Sequence, residues 1–305
     1  MEKILIVRLS AIGDIILSTA ILPGIRKLWP NAQIHWLTED FGGELLRSNE
    51  HIDGLTVMPR RRWKGLIKER KYLTFLREIT AMRRQVRAIG ADVVIDAQGL
   101  MRSAFWATAS GAKRRIGLRS HEGSQWLMHE VVRCEENPSG RMCNDYRALL
   151  EYLGLRDLPF SMSLRPTEQS RAKAEELIPE GSARPVFLFP FTTRPQKHWF
   201  ADRWAALATR IVRELGREVW ILGGPADQNA AKEIAENSGV SDKIRIVAGK
   251  ESNLIDKMGL VERAAVSIGV DTGLSHMSLA LGTPTVVMFG STCVYTDTSP
   301  LPGII

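Results

Sequence analysis

Short apolar runs alternate along this chain with segments whose apolar side chains recur at helical spacing, and no other feature limits the fold so tightly. The first strand-like series is Ile4–Leu9, Gln33–Thr38, Gly54–Pro59, Asp92–Ala97 and Arg115–Leu118. The second is Val186–Pro190, Glu218–Gly223, Ile244–Ala248, Ala265–Gly269 and Thr285–Phe289. Helical periodicity fits Ile15–Leu28, Leu73–Ile89, Asn144–Leu153 and Glu168–Ile178. It also fits Phe200–Leu215, Asp227–Asn237, Asn253–Arg263 and Leu274–Leu281. Strands that take turns with helices pair in parallel, because each crossover helix returns the chain to the same end of the sheet. The segment Asp157–Arg184 contains Pro159, Pro166 and Pro179, and the strand series restarts after it. The boundary is therefore expected near residue 165, with doubly wound α/β domains over 1–165 and 166–305 and a cleft between them. Ligands of such sheets bind beyond the carboxyl ends of the strands.

A length of 305 residues, 44% of them hydrophobic, suits two such cores of about 150 residues each. No apolar run reaches the roughly 18–20 residues that cross a bilayer. The first residues lead straight into a strand rather than a basic leader, so an export signal is not expected. Cys134, Cys143 and Cys293 are odd in number, far apart and without zinc-ligand spacing, which fits reduced thiols in a cytoplasmic protein.

The net charge of +7 is not spread evenly. Residues 1–160 carry 25 basic and 18 acidic side chains, whereas residues 161–305 carry 16 of each. Within the first half, residues 60–87 hold 11 basic and 2 acidic groups. The two halves should therefore meet different partners, the first of them anionic.

Three junctions place polar chemistry where strands end. In "RLSAIGDIILSTA", residues 8–20, Gly13 and Asp14 fall where a helix should begin. Asp14 can cap that helix, or it can serve as a general base facing a cleft, and the two roles are compatible. In "FPFTTRPQKHWF", residues 189–200, two hydroxyls (Thr192, Thr193), free backbone N–H groups and the Lys197 ammonium can cradle a phosphate. An ordinary connection with Lys197 in solvent is the other reading, and His198 and Trp199 read as packing residues. In "VSIGVDTGLSHMSLALGTP", residues 266–284, a buried strand runs into Asp271, Thr272 and Gly273. There Asp271 can accept from sugar hydroxyls and His276 can reach a phosphate, or Thr272 caps the helix and His276 is a satisfied core residue.

Three weaker signals complete the pass. "ILGGPADQNAAKEIA", residues 221–235, is a glycine-rich turn with Asp227 near a helix start, but it lacks the G-x-G-x-x-G of dinucleotide sites. The loop "GSTCVYTDTSPLPG", residues 290–303, has hydroxyls that can face the same cleft. The run "RRRWKGLIKERK", residues 60–71, is either a solvated face or a surface for an anionic acceptor or a phosphate-bearing membrane. Nucleic acid is not expected, since no recognition motif accompanies the charge.

Taken together, "RLSAIGDIILSTAIL", "DAQGLMRSA", "FPFTTRPQKHWF" and above all "VDTGLSHMSLALGTPTVVMFGST" resemble glycosyltransferase family 9, the ADP-heptose-using heptosyltransferases of lipopolysaccharide core synthesis. The resemblance covers essentially the whole chain and rests on the order and spacing of the motifs. It implies a GT-B fold, two Rossmann-like domains facing a cleft, the N-terminal one binding the lipid A–Kdo acceptor and the C-terminal one the sugar nucleotide. It implies inverting transfer with no metal and no cofactor, with ADP-heptose as donor substrate, at the inner face of the cytoplasmic membrane. Asp14 would be the base, with Ser10 and Gly13 beside it on the acceptor side together with Arg60, Arg61, Arg62 and Lys64. Lys197 would stabilise the leaving ADP. Thr192, Thr193, Lys197, Thr272 and Gly273 would hold the diphosphate, Asp271 the heptose and His276 the phosphate end. Asp227 falls where the family usually has a glutamate near the ribose. The family usually continues beyond the "GST…P" loop with a further C-terminal helix, so a segment past Ile305 is part of the expected pattern. The sequence leaves two other readings open: a GT-B transferase using another nucleotide sugar, and an inactive nucleotide-sugar binder on the same fold. A dinucleotide oxidoreductase is disfavoured by the missing glycine fingerprint.

Overall fold

In the computed structural model the described residues are 2–120, 122–133, 145–155, 160–249 and 253–290. The chain divides into two compact units, Met1–Ser163 and Leu164–Ile305. The three cysteines and nearly all of the 290–303 loop lie outside the described residues.

Among the described residues the first unit holds six strands: β1 (Lys3–Val7), β2 (Gln33–Glu39), β3 (Gly54–Met58), β4 (Val93–Asp96), β5 (Arg114–Leu118) and β6 (Glu130–Val132). Its helices are α1 (Ile12–Ser18), α2 (Leu22–Leu28), α3 (Asp40–Leu46), α4 (Arg60–Lys68), α5 (Tyr72–Ala88), α6 (Met101–Ala109) and α7 (Asp145–Tyr152). The strands pair in parallel in the order β3-β2-β1-β4-β5-β6, so β1 lies between β2 and β4. Ile4, Leu5, Ile6 and Val7 are fully buried, as expected of a strand covered by helices on both faces.

The second unit repeats the logic with five strands among its described residues: β7 (Val186–Phe189), β8 (Val219–Gly223), β9 (Ile244–Ala248), β10 (Val266–Val270) and β11 (Thr285–Met288). Its helices are α8 (Glu168–Leu177), α9 (Ala201–Leu215), α10 (Gln228–Asn237), α11 (Leu254–Glu262) and α12 (Gly273–Ala280). The order is β11-β10-β7-β8-β9, again all parallel. In each unit the winding reverses next to the first strand, between β1 and β4 and between β7 and β10. A doubly wound sheet opens its ligand crevice at that reversal, beyond the strands' carboxyl ends.

The structure departs from the sequence reading in five places. The helix expected over Ile15–Leu28 starts earlier and is broken by a 3₁₀ turn at Thr19–Ile21. The hydroxyls of Ser18 and Thr19 donate to the carbonyls of Ile15 and Ile16 (2.8 and 2.6 Å), and Pro23 removes a backbone donor just beyond. Helix α3 was not expected, because Gly42 and Gly43 lower helix propensity. Gly43 is required there, since a Cβ would lie 2.6 Å from Val57 Cγ2. Helix α6 and the three-residue strand β6 also escaped the periodicity. The basic run around residue 60 is an amphipathic helix with Trp63 and Leu66 buried, so it is more than a solvated charge run.

Gly259 marks where α11 packs against α8. A Cβ there would sit 2.6 Å from the backbone carbon of Ser170 and closer still to its oxygen, and backbone cannot swing away. Gly259→Ala should therefore cost about 2 kcal/mol of stability, read as a lower urea midpoint. An unchanged midpoint would show that the two helices separate freely.

Candidate active site

In the first unit the reversal point is organised by Arg8, one residue past β1. Its side chain is only 10% exposed, yet Nη2 pairs with Asp14 Oδ2 at 2.8 Å and Nη1 donates to the Ala97 carbonyl at 2.9 Å. The guanidinium also lies 6.0 Å from the Tyr146 ring centre. Two more carboxyls share its field. Asp96, at the end of β4, and Asp145, at the start of α7, are both pushed up by burial, and Arg8 pulls each partly back down. Asp96 is further held by the N–H groups of Gln98 and Gly99 (3.0 and 3.1 Å) and by the Ser103 hydroxyl (3.0 Å).

Asp14 is not the N-cap. Ala11 holds that position and Asp14 is the third helical residue, reaching back to the Ala11 N–H at 3.4 Å. Its side chain is 51% exposed. Both contacts fall on Oδ2, so Oδ1 has no hydrogen bond among the described residues. The carboxylate is therefore fixed by one oxygen and presents the other.

A second cluster lies along the same edge of the sheet. Glu39, buried at the end of β2, receives Arg60 Nη1 on both oxygens at 2.8 Å and Arg102 Nη1 at 2.9 Å. Arg102 Nη2 donates to Ser10 Oγ at 3.0 Å, which ties this cluster to the loop between β1 and α1, the helix that carries Gly13 and Asp14. Two cations thus meet one acid, leaving positive charge at the strand ends. The other expected acceptor residues differ among themselves. Arg62 is bound to Glu78, Arg61 stacks on the Phe41 ring at 3.9 Å, and Lys64 is exposed. Arg60, Lys64 and Arg102 line a cavity of about 310 Å³ whose walls include Trp63, Phe75, Ile79, Phe105 and Trp106.

In the second unit, Lys197 and Asp271 come together from 74 residues apart as a short ion pair, 14% and 5% exposed. His276 Nε2 lies 3.0 Å from the other Asp271 oxygen. The His276 ring is buried, and its Nδ1 has no partner among the described residues. Asp271 is thus gripped on both oxygens, and Lys197 is not the solvent-exposed lysine of the alternative reading. Thr272 is the N-cap of α12, but its hydroxyl accepts nothing from the first turn. The N–H groups from Gly273 onward therefore lack the side-chain cap that the alternative reading supposed. Thr192 and Thr193 follow β7, and their hydroxyls have no hydrogen bond among the described residues; only the Thr192 carbonyl is engaged, by His198 Nε2 at 2.8 Å. Asp227 Oδ2 accepts from the Gly224 N–H at 2.7 Å and so closes its own turn.

The structure thus gathers Ser10, Asp14 and Arg60 through Arg8, Glu39 and Arg102 in one unit, and Lys197, Asp271, Thr272 and His276 in the other. Arg8, Glu39 and Arg102 were missed by the sequence reading. The one available signal was a charge set directly against a buried strand end, as in "IVRLS" and "LTED".

The family model for glycosyltransferase family 9 (heptosyltransferase) matches residues 79–301. Lipopolysaccharide heptosyltransferase 1 of Salmonella typhimurium is 27% identical over 304 residues, covering 95% of this chain and 89% of that protein. Lipopolysaccharide heptosyltransferase 1 of Pseudomonas aeruginosa is 26% identical, covering 95% and 79%. Among solved structures, a glycosyl transferase family 9 protein from Veillonella parvula superposes with a TM-score of 0.84 at 24% identity, covering 100% of this chain and 86% of that one. The E. coli heptosyltransferase WaaC with ADP-2-deoxy-2-fluoro heptose gives 0.76 at 22% identity, covering 97% and 92%.

Removing one member of a buried ion pair leaves the other uncompensated. Lys197→Ala should cost about 2–3 kcal/mol in urea unfolding, below the full buried-pair value because His276 still holds Asp271. Lys197→Arg should recover most of it. Equal stability of all three forms would mean that the pair does not hold the loop after β7.

Proposed function

The chain belongs to glycosyltransferase family 9, and from that premise we propose that it is an inverting, metal-independent heptosyltransferase. The donor is ADP-heptose, and the acceptor is the Kdo/heptose inner core of lipopolysaccharide. The observation that carries this reading is the carboxylate of Asp14, fixed through Oδ2 by Arg8 with Oδ1 left to accept a proton.

The chemistry follows from the two clusters. An acceptor hydroxyl attacks the anomeric carbon of the donor and loses its proton to Asp14 Oδ1. The new carbon–oxygen bond forms on the face opposite the departing phosphate, so the anomeric configuration inverts. The bond from the anomeric carbon to the ADP oxygen breaks, and negative charge grows on the diphosphate. One Lys197 proton is committed to Asp271. An ammonium has three, so the others can meet the diphosphate together with the Thr192 and Thr193 hydroxyls and the first N–H groups of α12. Asp271, held by Lys197 and His276, takes sugar hydroxyls. Asp227 already closes its own turn, so its part beside the ribose is to hold the loop after β8 in place. The positive charge of Arg60, Arg61, Lys64 and Arg102 suits a phosphorylated acceptor. No helix among the described residues is long and apolar enough to cross a membrane. A cytoplasmic protein that works at the inner face of the cytoplasmic membrane is the location that fits its acceptor.

Asp14→Ala should lower turnover roughly 10²-fold or more while donor affinity by calorimetry stays within about twofold. Turnover near wild type would remove Asp14 from the reaction. Joint replacement of Arg61 and Lys64 by Ala should raise the acceptor KM and leave the donor KM alone, whereas Arg62→Ala should do little because Arg62 is held by Glu78. A large effect of Arg62→Ala alone would reverse that assignment.

A further inference from the structure

The hairpin of α4 and α5 carries large apolar side chains that its own core does not cover. Phe75, Ile79, Met82 and Val86 form the inward stripe of α5 and pack on the core of the first unit. Tyr72, Leu73 and Leu76 share the opposite face of its first turns and are 54%, 75% and 56% exposed. Ile67, near the end of α4, adds a fourth exposed apolar side chain at 45%. These four residues flank the turn Glu69–Lys71, so they crown one end of the hairpin. The charge around them has one sign: residues 64–77 hold five basic side chains and one acidic. The single acid, Glu69, is bound to Lys71, which leaves Lys68, Arg70 and Arg77 without an acidic partner among the described residues.

We infer that this hairpin end is a docking surface for an anionic phospholipid bilayer. Ile67, Tyr72, Leu73 and Leu76 enter the boundary between headgroups and acyl chains, and Lys68, Arg70 and Arg77 meet lipid phosphates. A second copy of the chain would set the same cations against one another, and a partner protein would have to be strongly acidic around an apolar centre. An anionic bilayer supplies both properties at once. The apolar crown adjoins the aromatic cavity, since Ile67 lines both. The inference deepens the inner-face location proposed above and assigns it to residues distinct from those that hold the acceptor.

The test is co-sedimentation of the full chain with vesicles of phosphatidylglycerol and phosphatidylethanolamine, compared with phosphatidylcholine alone. Wild type should bind the anionic vesicles, weaken as salt rises and leave the neutral vesicles unbound. Leu73→Asp combined with Leu76→Asp should lower binding about 10-fold or more, and Lys68→Glu combined with Arg70→Glu should do the same. These positions are exposed, so thermal melting should match wild type, and turnover on a soluble deacylated acceptor should be unchanged. Wild type that ignores anionic vesicles, or variants that bind as tightly as wild type, would overturn the inference. So would self-association in the absence of lipid that Leu73→Asp abolishes, since the patch would then be a contact between copies. Vesicle binding is read without turnover, so failure of the soluble assay in wild type would count against the transferase reading alone.

Discussion

A parallel sheet covered by helices on both faces leaves its side chains no place for polar chemistry except the strand ends, and both charged clusters of this chain lie there. Asp14 lies beyond β1 and Asp96 ends β4, the two strands that flank the reversal in the first unit. Lys197 lies beyond β7 and Asp271 follows β10, the equivalent strands of the second. The strand order thus selects which loops carry these charged clusters before any side chain is considered. The fully buried runs Ile4–Val7 and Phe187–Phe189 make that order rigid enough to hold it.

Each cluster solves the same electrostatic problem differently. The first surrounds one poorly exposed arginine with carboxyls and thereby keeps Asp14 oriented with an oxygen to spare. Burial works against the charged forms of Asp96 and Asp145; hydrogen bonds from Gln98, Gly99 and Ser103, and then Arg8, offset part of it for Asp96, and Arg8 does so for Asp145. The second cluster clamps a buried carboxylate between an ammonium and an imidazole. That arrangement holds both oxygens of Asp271 and keeps the Lys197 ammonium beside the first turn of α12. Preorganised charges of this kind act without rearranging during the reaction.

Ten of the eleven described strands were legible in the sequence, most plainly the buried parallel ones that read as unbroken apolar runs, such as β1, β7 and β8. Strand β6 was not, since three residues carry no period. Helix α3 was hidden by two glycines whose presence answers to close packing rather than to helix propensity, Gly42 against Thr38 of β2 and Gly43 against Val57 of β3. Asp14, Lys197 and Asp271 were readable as polar residues at strand ends, but their partners were not. Lys197 meets Asp271 across 74 residues and Arg8 meets Ala97 across 89, distances over which only the tertiary fold decides contact. Arg62 shows how little a basic run says of partners: the fold pairs it with Glu78, 16 residues on.

The measurement that bears most directly on the account is the product formed from ADP-heptose and a deacylated Kdo-containing lipid A acceptor, followed by mass and by the anomeric NMR signal. The account predicts one added heptose per ADP released, with the anomeric configuration opposite to that of the donor. ADP release without acceptor, or a product that keeps the donor's configuration, would contradict it.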